Sequence, residues 1–140
     1  MSQRETIMAA IATALSTIPD STFFRSREAA FGLDEGTCIL LEPEEELVIK
    51  HTQAAPALTF RKCTIVLTVI TRSDVPDQTA DPIMSAIQIA LLKDPTLGGL
   101  CAQMIEVSTK WAFAEADSTA STAEVRYQLL YLTTATGIAQ

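Results

Sequence analysis

With 140 residues and a net charge of −7, the chain fits a single domain over residues 1–140 that can bury a core of its own. Its 48% apolar and 19% charged residues indicate a folded globular protein, and no apolar run approaches the ~18 residues of a membrane-spanning helix. The acidic balance and scattered basic residues argue against sequence-specific nucleic-acid binding, and the N-terminus lacks a signal-peptide pattern, so we expect a cytoplasmic origin.

The first half of the chain predicts a helix followed by short strands. Apolar residues at helical spacing predict the helix over residues 3–18, which ends before Pro19. Residues 22–27 favour a short strand, and residues 37–42 are an apolar run of strand length. Pro43 is expected to end that strand. Apolar residues with this spacing on the helix are Ile7, Met8, Ile11, Leu15 and Ile18.

An acidic hairpin is expected next. Glu44, Glu45 and Glu46 would form its exposed tip, and a second short strand would begin at Leu47. Residues 50–58 are interpreted as a flexible loop. An acidic tip of this kind suits contact with a basic neighbour.

The second half predicts one helix among three strands. Residues 60–72 alternate as a strand with two partly apolar faces, which favours a central position in a sheet. Asp81 and Pro82 signal the start of a helix over residues 82–93, with an inward stripe of Ile83, Met84, Ile87, Ala90 and Leu91.

Two strands close the sequence. The first spans residues 104–113, with Ile105, Val107 and Trp111 on one side. The second follows Glu124, and a flexible linker over residues 115–123 joins the two. This order predicts an α+β fold, with a mixed, largely antiparallel sheet of about four to five strands and two main helices on one face.

Residues that often carry chemistry are sparse. His51 is the only histidine, and no nucleophile pattern lies near it. Cys38, Cys63 and Cys101 lack metal-ligand spacing and are interpreted as buried apolar residues. The consecutive glutamates diverge too much to hold a cation. We therefore predict no catalytic residues, no bound metal and no cofactor.

Arginines and aromatic residues suggest surfaces and core instead. Basic residues flank the predicted strands: Arg25, Arg27, Arg61, Lys62 and Arg72. Taken singly they are interpreted as solvated strand ends. If several subunits formed a ring, they would line its lumen or meet the acidic hairpin of a neighbour. Four aromatic residues alternate on the last two strands and are expected in the core: Trp111, Phe113, Tyr127 and Tyr131.

A joint over residues 94–100 (Asp-Pro-Thr-Leu-Gly-Gly-Leu) follows the second predicted helix. Gly98 and Gly99 precede a strand rather than a helix, so they do not match a phosphate-binding loop. They allow positive φ and a sharp reversal after Leu97. We interpret the segment as a structural joint.

This joint and the final strand, residues 126–134 (Arg-Tyr-Gln-Leu-Leu-Tyr-Leu-Thr-Thr), carry a resemblance in a chain of this length and element order. The chain resembles the tail terminators (minor tail protein U-like) and tail-completion proteins of long-tailed bacteriophages and prophages. The resemblance implies a small structural protein without catalytic residues. Other neck or head–tail connector proteins resemble this pattern too, and a small non-phage α+β binding domain or enzyme stays open as an alternative.

The resemblance also implies partners and a location. Such proteins are monomers in solution or assemble as a ring, a hexamer on the tail, that caps the tail tube and stops its polymerisation. The implied partners are other copies of the chain, the major tail tube protein and a head-completion protein. The implied location is the host bacterial cytoplasm during assembly and then the virion tail. We expect the three glutamates to contribute to a subunit or tail-tube contact.

Overall fold

The computed structural model describes residues 2–25, 37–52, 57–71, 76–112 and 121–134, which contain two helices and five strands. The elements are α1 (Gln3–Leu15), β1 (Thr22–Arg25), β2 (Cys38–His51), β3 (Leu58–Thr71), α2 (Pro76–Leu92), β4 (Gln103–Ala112) and β5 (Ser121–Thr134). The predicted class is confirmed: the fold is α+β, with a five-stranded mixed sheet and two helices.

The sheet has the strand order β1-β2-β3-β5-β4. Only the β1–β2 pair is parallel, and the other three pairs are antiparallel. Since β3 and β4 both run antiparallel to β5, they are parallel to each other, and α2 makes the crossover between them. β5 then returns to fill the gap, which gives β3 the central position that its two apolar faces predicted.

Both helices pack on the same face of this sheet. Ile7 and Ile11 of α1 and Ile87 and Leu91 of α2 join alternate residues of the strands in one continuous core. On β5 the odd-numbered residues from Ser121 to Thr133 are buried, whereas the even-numbered ones are half-buried or exposed. This is the period of two expected of a strand with one face against helices. Within the described residues, neither helix is long and apolar enough to cross a membrane.

The acidic hairpin predicted at Glu44, Glu45 and Glu46 is wrong. Residues 38–51 form one strand, and Glu44, Glu45 and Glu46 lie within it rather than at a tip. Pro43 does not end the strand: among the described strands, β1 pairs with β2 only as far as Leu41, and a proline is tolerated on a strand edge or at a bulge. A register shift between Pro43 and Glu45 absorbs the irregularity as a bulge.

The end of α1 and the start of α2 differ from the predicted boundaries. α1 ends at Leu15, and Ser16 caps it by donating its N–H to the carbonyl of Ala12, while Ile18 is buried beyond the helix. α2 starts at Pro76 instead of Pro82, so Asp81 is not its N-cap. The sequence contains two prolines that suit a first helical position, and the chain uses the earlier one. Pro82 lies in the interior, where it leaves the carbonyl of Gln78 without its usual helical donor.

The strand predicted at residues 104–113 is present as β4, but the alternation expected along it is wrong. Met104 is its buried residue, whereas Ile105, Val107 and Trp111 are exposed. A register shift between Glu106 and Ser108 breaks the period of two, and β4 is an edge strand with one neighbour. Tyr127 and Tyr131 are core residues as expected, but Trp111 is not, and Phe113 lies outside the described residues.

β5 begins at Ser121, so the linker predicted at 115–123 overlaps a strand, and the rest of that linker lies outside the described residues. The loop predicted at 50–58 also overlaps strands, because β2 continues to His51 and β3 begins at Leu58. Residues 53–56 of that loop are outside the description.

The joint after α2 turns with three consecutive positive φ angles, 52° at Leu97, 71° at Gly98 and 92° at Gly99. The Asp94 carboxylate holds the turn from inside: it accepts hydrogen bonds from the Thr96 hydroxyl at 2.9 Å and the Gly98 N–H at 2.8 Å. These donors lower the pKa of Asp94, the Thr96 hydroxyl most strongly. The turn leads the chain from α2 to β4 at the sheet edge.

Candidate interaction surfaces

A cluster of charged residues centres on Glu46, on the helix-bearing face of the sheet. Arg4 of α1 places its Nη2 3.0 Å from one carboxylate oxygen, and Arg61 of β3 places Nη1 3.4 Å from the same atom. The Tyr131 hydroxyl of β5 donates to the other oxygen. The Glu46 and Arg61 side chains are only 16% and 17% exposed. The cluster therefore ties α1 to three neighbouring strands.

The environment of Tyr131 fixes its protonation state. Burial and the hydrogen bond to Glu46 raise its pKa to about 12, against the opposing effect of Arg4. The hydroxyl consequently keeps its proton and remains a donor throughout the neutral range. The same contacts, with Tyr131 first, raise the pKa of Arg4. Glu46 is thus a structural residue. The sequence predicted Tyr131 as a core residue, but it did not predict the contacts of Arg4 and Tyr131 with Glu46, because Glu46 is distant from both along the chain.

A second group of charged residues lies on the face of the sheet opposite the helices. Arg126 of β5 places Nη2 2.9 Å from a Glu44 oxygen and 3.2 Å from a Glu124 oxygen. The Glu44 carboxylate is 39% exposed, so this pair faces solvent. Glu44 and Glu46 therefore lie on different faces of the sheet. Glu45 is exposed as well and lies opposite Thr64 of β3.

The two predicted interface arginines that the structure describes, Arg25 and Arg61, belong to separate ion pairs. Arg25 makes a two-point ion pair with Glu5, at 2.6 and 2.7 Å, which joins β1 to α1. Arg25 thereby lowers the pKa of the Glu5 carboxyl. Arg61 belongs to the Glu46 cluster, and Arg27 and Arg72 lie outside the described residues.

Exposed apolar side chains concentrate on two strands with free edges. Of the eight large apolar residues that are exposed in the described part of the chain, six lie on β2 and β4 and are 43–51% exposed: Leu47, Val48, Ile49, Ile105, Val107 and Trp111. The other two are Ile89 on α2 and Leu132 on β5. β4 is the last strand of the sheet, and beyond Leu41 none of the described strands pairs with the outer side of β2.

A groove of about 240 Å³ crosses the sheet face opposite the helices. Its lining residues are Ile49, Lys62, Gln103, Ile105, Gln128 and Leu130. Another hollow, of about 420 Å³, lies between α2 and β4, beside Pro82 and Trp111. The first groove shares Ile49 and Ile105 with the apolar edge strands, so this end of the face is both concave and apolar.

The histidine and the cysteines lie apart. His51 ends β2 as an exposed residue, with Nδ1 3.5 Å from the Thr59 hydroxyl. Cys38, Cys63 and Cys101 are buried free thiols, as expected. Burial raises the pKa of Cys63 to about 11, which disfavours the reactive thiolate. Among the described residues, no group of three or more His, Cys, Asp and Glu residues has the arrangement of a metal site.

Fold and surfaces together define a small α+β domain in which β4, at one side of the sheet, and β2 beyond Leu41, towards the other side, carry exposed apolar residues along outer edges that no described strand pairs with. Neither a protein-family model nor a curated protein matches the chain. Among solved structures, it is similar to a chain from a structure described as "Virion of native gene transfer agent (GTA) particle". The identity is 13% and the TM-score 0.44, over 94% of this chain and 92% of the other. A likeness this distant identifies neither a family nor a function.

Proposed function

We propose that this chain is a structural tail protein of a phage or prophage that caps the tail tube, ends its polymerisation and offers the surface to which the head is joined. The exposed apolar residues of β2 and β4 are the observation that carries the proposal. Contiguous apolar surface on a small domain marks a site of protein contact. Such a site on each side of one sheet suits a subunit that has a neighbour on either side.

The sequence resemblance supplies the particular assembly. It rests on the joint at residues 94–100 and on the strand that ends at Thr134, both of which have defined places in the fold. The distant likeness to a chain of the GTA virion is not needed for it. On this proposal the chain acts without catalysis, cofactor or sequence-specific nucleic-acid binding, and its partners are its own copies, the major tail tube protein and a head-completion protein.

Only two of the three glutamates remain as proposed contact residues. Glu46 holds the fold together through Arg4, Arg61 and Tyr131, so reversing its charge would perturb the domain itself. Glu44 and Glu45 are exposed and remain proposed contacts to a subunit or the tube. Reversal of these two, with Glu46 untouched, is the variant that tests an interface.

The proposal is tested with the full chain and tail tubes of the phage or prophage that encodes it. We expect electron micrographs to show rings as wide as one tail, bound at one end of each tube, and tubes that stop growing when the protein is added. Binding to head connectors without binding to tubes would instead indicate another neck protein. A chain that stays monomeric and binds neither would indicate a small domain outside the virion and contradict the proposal.

A further inference from the structure

The free edges of β2 and β4 match in length. β4 has 10 residues, Gln103–Ala112, and among the described strands only β5 pairs with it. β1 leaves β2 at Leu41, so the segment from Glu42 to His51, also ten residues, presents an outer edge to which no described strand is bonded. Unpaired strand edges of this length are templates for pairing with another chain.

The polarity of the two edges also matches. β2 and β5 run in one direction and β3 and β4 in the other, because each neighbouring pair among them is antiparallel. A second copy in the same orientation would therefore bring its β4 antiparallel to β2. Antiparallel pairing of two segments of this length needs no crossover connection.

The side chains of β2 and β4 favour one register of this pairing. If the two segments overlap completely, Glu44 lies opposite Lys110, Leu47 opposite Val107 and Ile49 opposite Ile105. Lys110 and Val107 are exposed on β4, as are their counterparts on β2. Opposite charges and paired apolar residues are the cross-strand combinations that stabilise a sheet.

We propose that β4 of one copy pairs with residues 42–51 of β2 in the next, so that the five-stranded sheets join edge to edge. This inference rests on the proposed function and names the contact by which the ring forms. The contact is heterologous, since it uses different surfaces of each copy, and heterologous contacts close into rings when the rotation between subunits permits. It places all six exposed apolar residues of the two edges on the strands that meet.

A symmetric β4–β4 contact is the main competitor for the same edge. In that pairing, full overlap places Ile105 opposite Lys110 and leaves Leu47, Val48 and Ile49 of β2 uncovered. It would also end the assembly at two copies on that edge. The β4–β2 contact satisfies both edges at once.

Cross-linking separates these arrangements. The variants Ile49→Cys and Ile105→Cys, each with a different tag, are mixed at high concentration or on tail tubes and treated with a mild oxidant. Residues opposite each other in an antiparallel pair have the Cβ spacing that a disulfide needs. The native cysteines are buried, and Ile89→Cys, on the exposed side of α2, is the matched control.

We expect covalent dimers only in the mixture, always with one copy of each tag, and no dimers of either variant alone or of the control. Rings without mixed dimers, or dimers of Ile105→Cys alone, would overturn the β4–β2 contact while leaving the proposed function intact. Absence of both rings and tube binding would overturn both proposals.

Hydrogen exchange of the unmodified chain gives an answer that does not depend on a variant folding. Outward amides of residues 42–51 and 103–112 should exchange more slowly in the assembled ring than in the monomer, because they gain hydrogen bonds. Unchanged exchange of these two segments in the ring would refute the pairing.

Discussion

Replacing Glu46 should destabilise the domain far more than replacing Glu44, two residues away on the same strand. Glu46→Ala removes the acceptor for Arg4, Arg61 and Tyr131 and leaves Arg61, whose side chain is 17% exposed, without its carboxylate. Breaking a fully buried pair costs about 3–5 kcal/mol. Since water still reaches this cluster, we expect a loss of about 2–3 kcal/mol in the free energy of unfolding.

Glu44→Ala is the matched control. Its carboxylate is 39% exposed, and Arg126 keeps a second partner in Glu124. Exposed pairs of this kind contribute about 0–1 kcal/mol. The difference between the two variants is then about 2 kcal/mol, which is roughly a 30-fold change in the folding equilibrium.

Urea unfolding followed by far-ultraviolet circular dichroism measures both losses. Tyr131→Phe, which removes only the hydroxyl donor, should cost about 1 kcal/mol, and its loss should be smaller in the Glu46→Ala background. Equal stability of the Glu46→Ala and Glu44→Ala variants would refute the structural role of Glu46, as would full additivity with Tyr131→Phe.

Three further predictions follow from the joint, the tyrosines and the thiols. Gly98→Ala should lower the free energy of unfolding by about 1 kcal/mol in a urea titration, because φ is 71° at this position and an alanine is strained there even though no atom obstructs its Cβ. Ser108→Ala on the exposed edge is the control, and equal stability of the two variants would contradict the argument. Tyr127 and Tyr131 are the chain's 2 tyrosines, both with pKa raised to about 12, so the tyrosinate absorbance should stay low at pH 10–11 in the folded protein and rise there after denaturation. Since the folded state holds these protons more tightly than the unfolded state, stability is complete below pH 10 and falls as pH rises towards 12; normal titration of either tyrosine in the native protein would disprove this. The buried thiols should react with an alkylating reagent at pH 8 only on unfolding, which mass spectrometry can count, and fast labelling of Cys63 in the native state would contradict its burial.

Periodicity predicted the parts of the fold that are regular on one face. The spacing of Ile7, Ile11 and Leu15 identified α1, and the alternation around Ile65 identified β3 as a central strand. These residues face the core, so burial imposes a period on the sequence.

The strand at β4 was predicted, but its exposed face and the full extent of β2 were not, because burial does not constrain these edges in the same way. β2 has register shifts beside Pro43 and after Val48, and β4 has one after Glu106, so neither keeps a period of two. Glu46 shows another limit of prediction from sequence, which is that contacts between distant residues leave no local pattern. It stands in a run of identical side chains, and only its cross-strand neighbours distinguish it from Glu44.

Bulges on both apolar edges also bear on how selective their pairing is. A bulge disturbs the even spacing of outward N–H and C=O groups, which is one way that proteins prevent edges from pairing with arbitrary strands. In the fully overlapped register, Val107 at the β4 bulge faces Leu47, which lies between the two irregular points of β2. The apolar side chains favour contact, whereas the irregular backbone limits which partner and register fit. An edge with both features suits a contact made only with another copy of the same chain.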